Sequence, residues 1–326
     1  MSRLGIRTGS RLHFGLLGWG PHLRRQFGGV GLMIDDPGLD LAAEPSDRFE
    51  AVGPLAGRVA ELLGRMGPPI RPVRVEVLRA PDEHAGLGVG TQLSLAVARL
   101  ALAASGAGEP SAEDLARLAG RGRRSGVGLH GFVHGGLIVD GGHASADDVP
   151  PLVARLEFPE DWSVLVVRPP AAPAGRHGGD EVAAFADLPP MPERTSERLC
   201  RLVLLDLLSA AATRDLDAFG AALAEIQGAV GSAFAPAQGG VYSSPQSEAI
   251  VADLGRLGLV GAGQSSWGPS LYAFGTPDEG ARRDVAARLR DRHGLGPSAV
   301  LWTRARRLGA ELTGEPRPPR RALANP

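Results

Sequence analysis

The sequence contains no lysine and only one cysteine, Cys200, among its 326 residues. A single cysteine excludes an internal disulfide and a cysteine-rich metal cluster, and the absence of lysine excludes a Walker-type phosphate-binding loop, which requires one. Because Cys200 lies beside Leu199 and near Val203 on an apolar helix face, we predict that its side chain is buried in the core and is not a nucleophile. The 35 basic residues are all arginines, and they balance 36 acidic residues to a formal charge of −1. We therefore expect no nucleic-acid partner.

Long apolar runs are also missing. The longest, residues 93–104, is interrupted by Ser94 and Arg99 and is well short of the ~20 residues that cross a bilayer. No N-terminal stretch has the pattern of a signal peptide, so the sequence predicts a soluble, cytoplasmic protein without a membrane partner. Glycine and proline, with 46 and 27 residues, indicate a globular chain rich in turns.

The length of the chain favours two domains. Alternation of apolar and charged residues at 73–77 indicates a half-buried strand, and apolar positions throughout residues 93–104 indicate a central helix. A proline-bearing acidic segment, residues 147–161, separates this half from a succession of helices and strands. We predict an α+β fold with domains at residues 1–155 and 156–313 and a flexible tail at 314–326.

A glycine-rich segment, residues 86–92 (GLGVGTQ), lies between a predicted strand and a predicted helix. Glycines allow several backbone amides to converge, and the helix N-terminus adds partial positive charge, so the segment is predicted to bind phosphate. The alternative is an ordinary strand-to-helix turn. The residues predicted to bind phosphate are Gly86, Leu87, Gly88, Val89, Gly90 and Thr91, and Gln92 is predicted to be catalytic.

Residues 120–128 (GRGRRSGVG) place three arginines among glycines. Guanidinium groups pair with phosphate oxygens through two parallel hydrogen bonds, so this segment is predicted to bind a polyanion. A solvated basic loop is the alternative. Two histidines follow, which could donate to a phosphate or an aromatic acid but lack the acidic or cysteine neighbours of a zinc site. The candidate ligand-binding residues here are Arg123, Arg124, Ser125, His130 and His134.

Three further segments supply polar groups beside glycines. Residues 261–269 (GAGQSSWGP) combine an apolar wall with neutral hydrogen-bond donors, although a purely structural turn is an alternative. Residues 11–15 (RLHFG) put Arg11 and His13 on one face of a strand, which is either a site wall or a solvent-facing edge. Residues 28–31 (GGVG) allow close approach of a backbone. The catalytic candidates are Arg11, His13, Gln264 and Ser265, and the binding candidates are Gly28, Gly29, Gly263, Ser266, Trp267 and Gly268.

The segments at 86–92, 125–128 and 261–268 together resemble the three motif regions of the GHMP superfamily of small-molecule kinases. The resemblance implies a GHMP-kinase-like two-domain fold, with an N-terminal ribosomal-protein-S5-like domain and a C-terminal ferredoxin-like domain. Many of those kinases carry a catalytic aspartate in a pattern like S-G-x-D, where this sequence has Ser125-Gly126-Val127-Gly128. The proton acceptor is therefore missing at this place, and no lysine can assist one.

That loss, with RLHFG at 11–15, GGVG at 28–31, FVHGGLIVDGGH at 132–143 and GQSSWGP at 263–269, is similar to one non-kinase branch, the β-ribofuranosylaminobenzene 5′-phosphate synthases. This resemblance implies a phosphoribosyltransferase of tetrahydromethanopterin biosynthesis. Its substrates would be phosphoribosyl pyrophosphate and an aromatic acid, 4-hydroxybenzoate or 4-aminobenzoate, with loss of pyrophosphate and carbon dioxide. It also implies Mg²⁺ and a homodimer. Asp180 and Glu181 are candidate metal ligands, with solvated surface acids as the alternative.

Two other functions stay open at this point. A GHMP kinase could use an aspartate from elsewhere, such as Asp140, and would then bind magnesium-ATP and phosphorylate an alcohol. A non-catalytic ligand-binding descendant would have kept the glycine-rich loops and lost turnover.

Overall fold

The computed structural model describes residues 3–122, 124–145, 147–170 and 188–314. The first half of the chain supplies most of one mixed layer of strands with helices packed on it. Its strands are β1 (Leu4–Gly18), β2 (Phe27–Pro45), β3 (Glu50–Val52), β4 (Val73–Arg79), β5 (Leu137–Asp140) and β6 (Leu152–Leu156). Its helices are α1 (Ala56–Gly64), α2 (Val89–Ala104), α3 (Ala112–Ala119) and α4 (Val127–His134).

The second half contains a smaller sheet and longer helices. Its strands are β7 (Ser163–Val167), β8 (Val260–Gln264), β9 (Leu271–Gly275), β10 (Val300–Arg304) and β11 (Glu311–Thr313). Its helices are α5 (Glu193–Arg201), α6 (Leu208–Thr213), α7 (Leu216–Gln238), α8 (Pro245–Arg256) and α9 (Glu279–His293). A π-helical turn (Leu202–Leu207) joins α5 to α6, and a 3₁₀ turn (Pro297–Ala299) precedes β10.

The two sheets confirm the predicted fold class. The smaller sheet has the order β10-β7-β9-β8, and every neighbouring pair in it is antiparallel. Numbered along the chain, this is the order 4-1-3-2 with helices after the first and third strands, which is the ferredoxin-like arrangement. The larger sheet follows β11-β1-β2-β4-β3, with β5 paired to β2 and β6 paired to β5.

The last strand differs from the predicted layout. Residues 311–313 were expected to belong with the second half, whereas β11 pairs with β1 in the larger sheet. Three residues with one apolar side chain among them carry too little periodic pattern to show which sheet they join.

The prediction of a central helix at residues 93–104 is confirmed. Helix α2 begins four residues earlier, at Val89, and Leu93, Leu95 and Val97 on different sides of it are all fully buried. It packs against β1 and β2. Helix α3 is capped by a side chain, because Ser111 Oγ accepts a hydrogen bond from the Asp114 amide at 3.1 Å.

Helix α7 is the one described helix that is long and apolar enough to cross a bilayer by length and composition. Half of its apolar window is buried within the protein, and Phe219, Leu223 and Ile226 have no exposed surface. The helix packs against β8 and β1. These contacts are those of a core helix.

The prediction for Cys200 was wrong, because this residue is exposed. Its neighbours Leu199 and Val203 are buried. Successive residues of an α-helix point about 100° apart, so a residue next to a buried position in sequence need not share its face.

Candidate active site

A cavity of about 560 Å³ opens where β1, α2, α7 and the loops at residues 120–125 and 264–267 meet. The segments that form it are far apart in sequence and belong to both sheets. Two hydrogen bonds join them, since the His13 amide donates to Ser265 Oγ at 3.0 Å and the Ser266 amide donates to the His13 carbonyl at 3.1 Å. The cavity therefore lies at the junction of the two halves of the molecule.

Part of the cavity lining is cationic. Arg11, Arg121 and Arg124 belong to it together with Thr91 from the first turn of α2. None of the described residues that line the cavity is an aspartate or a glutamate. Three arginines next to the positive end of a helix dipole favour an anionic ligand.

Arg121 is fixed at the N-terminal turn of α2. Its Nη2 donates to the Gly90 carbonyl at 3.0 Å, and its Nε donates to Ser94 Oγ at 3.1 Å. Burial lowers the pKa of Arg121, but a guanidinium remains protonated at neutral pH. The side chain is therefore a charged donor group held in one orientation.

Another part of the lining is aromatic. The rings of Phe234 and Trp267 stack with centroids 4.5 Å apart and an interplanar angle of 18°, and Phe27 also lines this space. Gln227 and Gln264 add neutral polar groups. The backbone amide of Gln264 donates a hydrogen bond to Gln227 Oε1 at 2.8 Å. Flat apolar walls with few polar groups suit a planar aromatic ligand.

His13 begins a chain of side-chain hydrogen bonds that runs away from the cavity. Its Nε2 lies 3.0 Å from Ser125 Oγ, and Ser125 Oγ donates to Asp140 Oδ2 at 2.9 Å. A register shift between β1 and β2 separates His13 from Gly15 and leaves Phe14 as an extra residue in β1. Such a bulge changes the direction of the side chains around it, which is common beside active sites.

The imidazole of His13 is neutral at physiological pH. Burial, together with the positive charges of Arg11 and Arg124, holds the pKa of His13 well below its usual range. His13 is thus the one titratable group among the described lining residues that can act as a neutral hydrogen-bond acceptor.

Asp140 is fully buried and does not line the cavity. Its Oδ2 accepts hydrogen bonds from the amides of Gly126 and Val127, at 2.8 and 3.1 Å, and its Oδ1 accepts one from the Gly142 amide at 2.9 Å. Burial raises the pKa of Asp140, while these donors act in the opposite direction. The carboxylate holds the start of α4 and orients Ser125.

Two carbonyls of the glycine-rich loop hold neighbouring segments together, while the predicted phosphate binding by its amides stays a prediction. The Gly86 carbonyl accepts hydrogen bonds from Ser265 Oγ at 2.7 Å and from Arg11 Nη1 at 3.2 Å, and the Leu87 carbonyl accepts one from the Arg11 amide at 2.9 Å. Residues 86–90 are not among those that line the cavity, whereas Thr91 is. The loop is thus a joint between β1, α2 and the loop after β8.

Gln92 and Ser265 were predicted to be catalytic, but both side chains are fully buried behind the cavity wall. Gln92 accepts from Thr8 Oγ1 and donates to the Gly128 carbonyl, each at 2.8 Å. Both residues position neighbouring backbone instead of contacting a ligand. A polar side chain beside a glycine-rich loop looks the same in sequence whether it faces a ligand or braces the loop.

The other candidates divide into two groups. Arg11, His13, Thr91, Arg124, Ser125, Gln264, Ser266 and Trp267 line the cavity. Gly28, Gly29, His130, His134, Gly263 and Gly268 do not, and Arg123, Asp180 and Glu181 lie outside the described residues.

The two histidines of α4 are placed away from the cavity for different reasons. His130 Nε2 donates to the Pro150 carbonyl at 2.7 Å, which holds the ring beside that segment. His134, one turn later, is exposed. Gly29 is required by packing, since a Cβ there would lie 2.3 Å from Ser125 Oγ.

Several lining residues were not singled out by the sequence. Arg121 belonged to the predicted arginine segment, but its neighbours at 123 and 124 were chosen instead. Gln227, Phe234 and Gln238 come from α7, whose apolar spacing indicated only a core helix. A buried glutamine inside an apolar helix was the available signal, because such a group needs a polar partner.

The described residues do not provide a protein-held Mg²⁺ site. Within residues 3–122, 124–145, 147–170 and 188–314, no group of three or more His, Cys, Asp or Glu side chains is arranged to hold a metal ion. The cavity presents arginines in place of the hard carboxylate oxygens that Mg²⁺ prefers.

Replacing Gly86 by alanine should destabilise the protein by about 2 kcal/mol or more. Gly86 has a φ of +77°, and a Cβ there would lie 2.6 Å from the Ser265 carbonyl oxygen and 2.8 Å from that of Gly268. Both are backbone atoms, so neither can rotate away. Urea unfolding measures the loss. Gly57→Ala is the control, since its Cβ meets nothing within 4 Å. An unchanged unfolding midpoint for Gly86→Ala would contradict the role of this loop in holding β1, α2 and the loop after β8 together.

Comparison with known sequences supports the fold and points to one activity. A profile of the family "GHMP kinases C terminal" matches residues 207–294. The chain is 33% identical to the β-ribofuranosylphenol 5′-phosphate synthase of Methanothermobacter thermautotrophicus, over 94% of this chain and 97% of that protein. It is 34% identical to the synthase of the same name from Archaeoglobus fulgidus, over 95% and 99%.

Solved structures show the same fold at low sequence identity. The homoserine kinase of Cytophaga hutchinsonii superposes with a TM-score of 0.68 and 16% identity, over 95% of this chain and 97% of that one. The mevalonate diphosphate decarboxylase of Staphylococcus aureus gives a TM-score of 0.64 and 12% identity, over 96% and 98%. The two-domain α+β fold is thus that of the GHMP kinases.

Proposed function

This chain belongs to the family of β-ribofuranosylphenol 5′-phosphate synthases, and we propose that it transfers ribose 5-phosphate from phosphoribosyl pyrophosphate to 4-hydroxybenzoate. Pyrophosphate and carbon dioxide leave, and a carbon–carbon bond joins the sugar to the ring. The observation that carries the proposal is the composition of the cavity. Its described lining residues include three arginines and the aromatic rings of Phe234 and Trp267, and none of them is a carboxylate.

The three lining arginines suit the donor. Departure of pyrophosphate from C1 of the ribose leaves an oxocarbenium-like centre, so the enzyme has to stabilise the leaving anion and hold the sugar in line with the acceptor. Arg121 and Arg124 can pair with the diphosphate oxygens, and Thr91 lies at the positive end of α2. Arg11, on the same wall as His13, can reach either a phosphate or the carboxylate of the acceptor.

The aromatic side chains suit the acceptor. Phe234 stacks with both Trp19 and Trp267, and the lining residues Phe234 and Trp267 give a benzoate ring an apolar aromatic surface. The names of the two archaeal relatives contain a phenol, which favours 4-hydroxybenzoate over 4-aminobenzoate as the acceptor.

The kinase alternative has less support. Alcohol phosphorylation needs a carboxylate that takes the hydroxyl proton, and Asp140 is buried behind the wall with its oxygens occupied by backbone amides.

A direct assay tests the proposal. Purified protein is incubated with phosphoribosyl pyrophosphate and 4-hydroxybenzoate labelled in the carboxyl carbon, with and without added Mg²⁺. Labelled carbon dioxide and a riboside phosphate of matching mass are expected, without any requirement for ATP. Parallel reactions use 4-aminobenzoate as the acceptor. Absence of carbon dioxide release, with ATP-dependent phosphorylation of an alcohol instead, would overturn the proposal.

A further inference from the structure

The buried side of His13 is connected to a carboxylate that cannot turn. Asp140 has no exposed surface, and backbone amides of Gly126, Val127 and Gly142 donate to both of its oxygens. A carboxylate surrounded by donors can only accept. The Ser125 hydroxyl therefore has to donate its single hydrogen to Asp140 Oδ2, at 2.9 Å.

This direction determines the protonation of the imidazole. With its hydrogen committed to Asp140, Ser125 Oγ can only accept, and it does so from the Val127 amide at 3.2 Å and from His13 Nε2 at 3.0 Å. His13 Nε2 must therefore carry the ring hydrogen. In a neutral imidazole the second nitrogen, Nδ1, is then an acceptor.

We propose that Asp140 and Ser125 hold His13 in the Nε2-protonated tautomer so that its Nδ1 accepts the proton of the acceptor's ring hydroxyl. The inference rests on the proposed function, and it assigns the proton acceptor that this reaction needs. His13 is the catalytic residue, and Ser125 and Asp140 are positioning residues.

The proposed step balances without a further reactant. As the ring carbon that bears the carboxylate attacks C1 and the C1–oxygen bond to pyrophosphate breaks, the hydroxyl proton moves to His13 Nδ1, which leaves a dienone that still carries the negatively charged carboxylate. The bond to the carboxylate then breaks, carbon dioxide leaves, and its electron pair restores the aromatic ring as a phenolate. The phenolate oxygen takes the proton back from the imidazolium.

The surroundings of His13 keep it neutral between turnovers. Arg11 on β1 and Arg124 in the loop before α4 are the charged groups that act on it directly, and Asp140 reaches it only through Ser125. Burial and the two arginines hold the pKa of His13 well below its usual range. Because the neutral form is the active one, turnover should not fall as the pH drops through about 6.5, the ordinary value for histidine.

Nuclear magnetic resonance of protein labelled with ¹⁵N-histidine tests the tautomer. The chain has eight histidines, and loss of one set of signals in His13→Gln assigns the residue. We expect protonated Nε2 and unprotonated Nδ1 between pH 6 and 9 in the wild type, and a mixture of the two tautomers in Ser125→Ala. A wild-type His13 protonated on Nδ1 would overturn the proposal.

Steady-state kinetics tests the role. His13→Gln should lower kcat about 10²- to 10⁴-fold with little change in KM for the donor, and Ser125→Ala should lower kcat by a smaller factor. His22→Gln, at an exposed position, is the control and should match the wild type. A kcat for His13→Gln within about threefold of the wild type would contradict the assignment. If His13→Gln does not fold, the histidine whose tautomer changes in Ser125→Ala identifies His13, and the kcat of Ser125→Ala then tests the role.

The proposed function and the role of His13 are contradicted by different results. If the wild type makes no riboside phosphate, the proposed function is wrong, whatever the tautomer. If the wild type is active while its His13 carries hydrogen on Nδ1, or while His13→Gln retains turnover, the function stands and the role of His13 is wrong.

Discussion

Replacing Arg121 by alanine should raise KM for phosphoribosyl pyrophosphate about 10- to 100-fold, with a smaller change in kcat. The guanidinium is held at the first turn of α2 by the Gly90 carbonyl and Ser94 Oγ, so it meets a diphosphate without first being ordered. A hydrogen bond to a charged group contributes about 1.5–3 kcal/mol, and each 1.4 kcal/mol corresponds to about a factor of ten in affinity.

The matched control removes the same charge from a neighbouring surface. Arg117 is exposed on α3 and pairs with Glu113 one turn away, so Arg117→Ala should leave KM unchanged. Arg121→Lys should recover only part of the affinity, because an ammonium keeps the charge but not the planar pair of donors. If circular dichroism shows both proteins folded and the donor KM of Arg121→Ala equals that of the wild type, Arg121 does not contact the donor.

Local signals in the sequence predicted local structure well. The cap of α3 depends on two side chains three residues apart, Ser111 and Asp114, and both are visible in sequence. Helix α2 was predictable because apolar residues on all of its sides leave no face for water. The ferredoxin-like order of the second sheet came from the resemblance of three motifs, since pairing between distant strands leaves little periodic trace.

The direction in which a polar group points was not predictable. Residues 86–90 are predicted to offer amides to a phosphate, and nothing in the sequence indicated that the Gly86 and Leu87 carbonyls of the same loop accept hydrogen bonds from Arg11 and Ser265. Glycine permits either orientation of the loop. The choice is made by contacts between residues 75 or more positions apart, which single-sequence patterns do not contain.

The wall built by α7 was missed for a related reason. Gln227 and Phe234 occupy positions on a helix whose spacing already explains them as core residues. This face of the helix becomes a cavity wall because Gln264 and Trp267, at the end of β8 and in the loop after it, pack beside it. When a site forms where two halves of a molecule meet, the sequence of each segment alone therefore predicts only some of its residues.

Replacing Asp140 by alanine should lower the free energy of unfolding by about 3 kcal/mol or more. Three buried backbone amides would lose their acceptor, and each unsatisfied buried donor costs about 1–3 kcal/mol. Unfolding in urea measures the effect, provided that the slope with denaturant is unchanged. Asp148→Ala is the matched control, because Asp148 accepts from the amides of Ala144 and Ser145 at an exposed turn, where water can replace the lost acceptor, and the loss of stability should be much smaller.

Asp140→Asn separates the positioning role from the kinase alternative. An asparagine can place its single oxygen where Oδ2 accepts from Ser125, Gly126 and Val127, but its amide nitrogen then faces the Gly142 amide. We therefore expect a smaller loss of stability than for alanine, with part of the turnover retained, because Ser125 still has an acceptor for its hydrogen. A carboxylate that itself removed a substrate proton would leave a stable but inactive asparagine variant, since an amide is no base. A folded Asp140→Asn protein without measurable turnover would thus favour a direct catalytic role for Asp140.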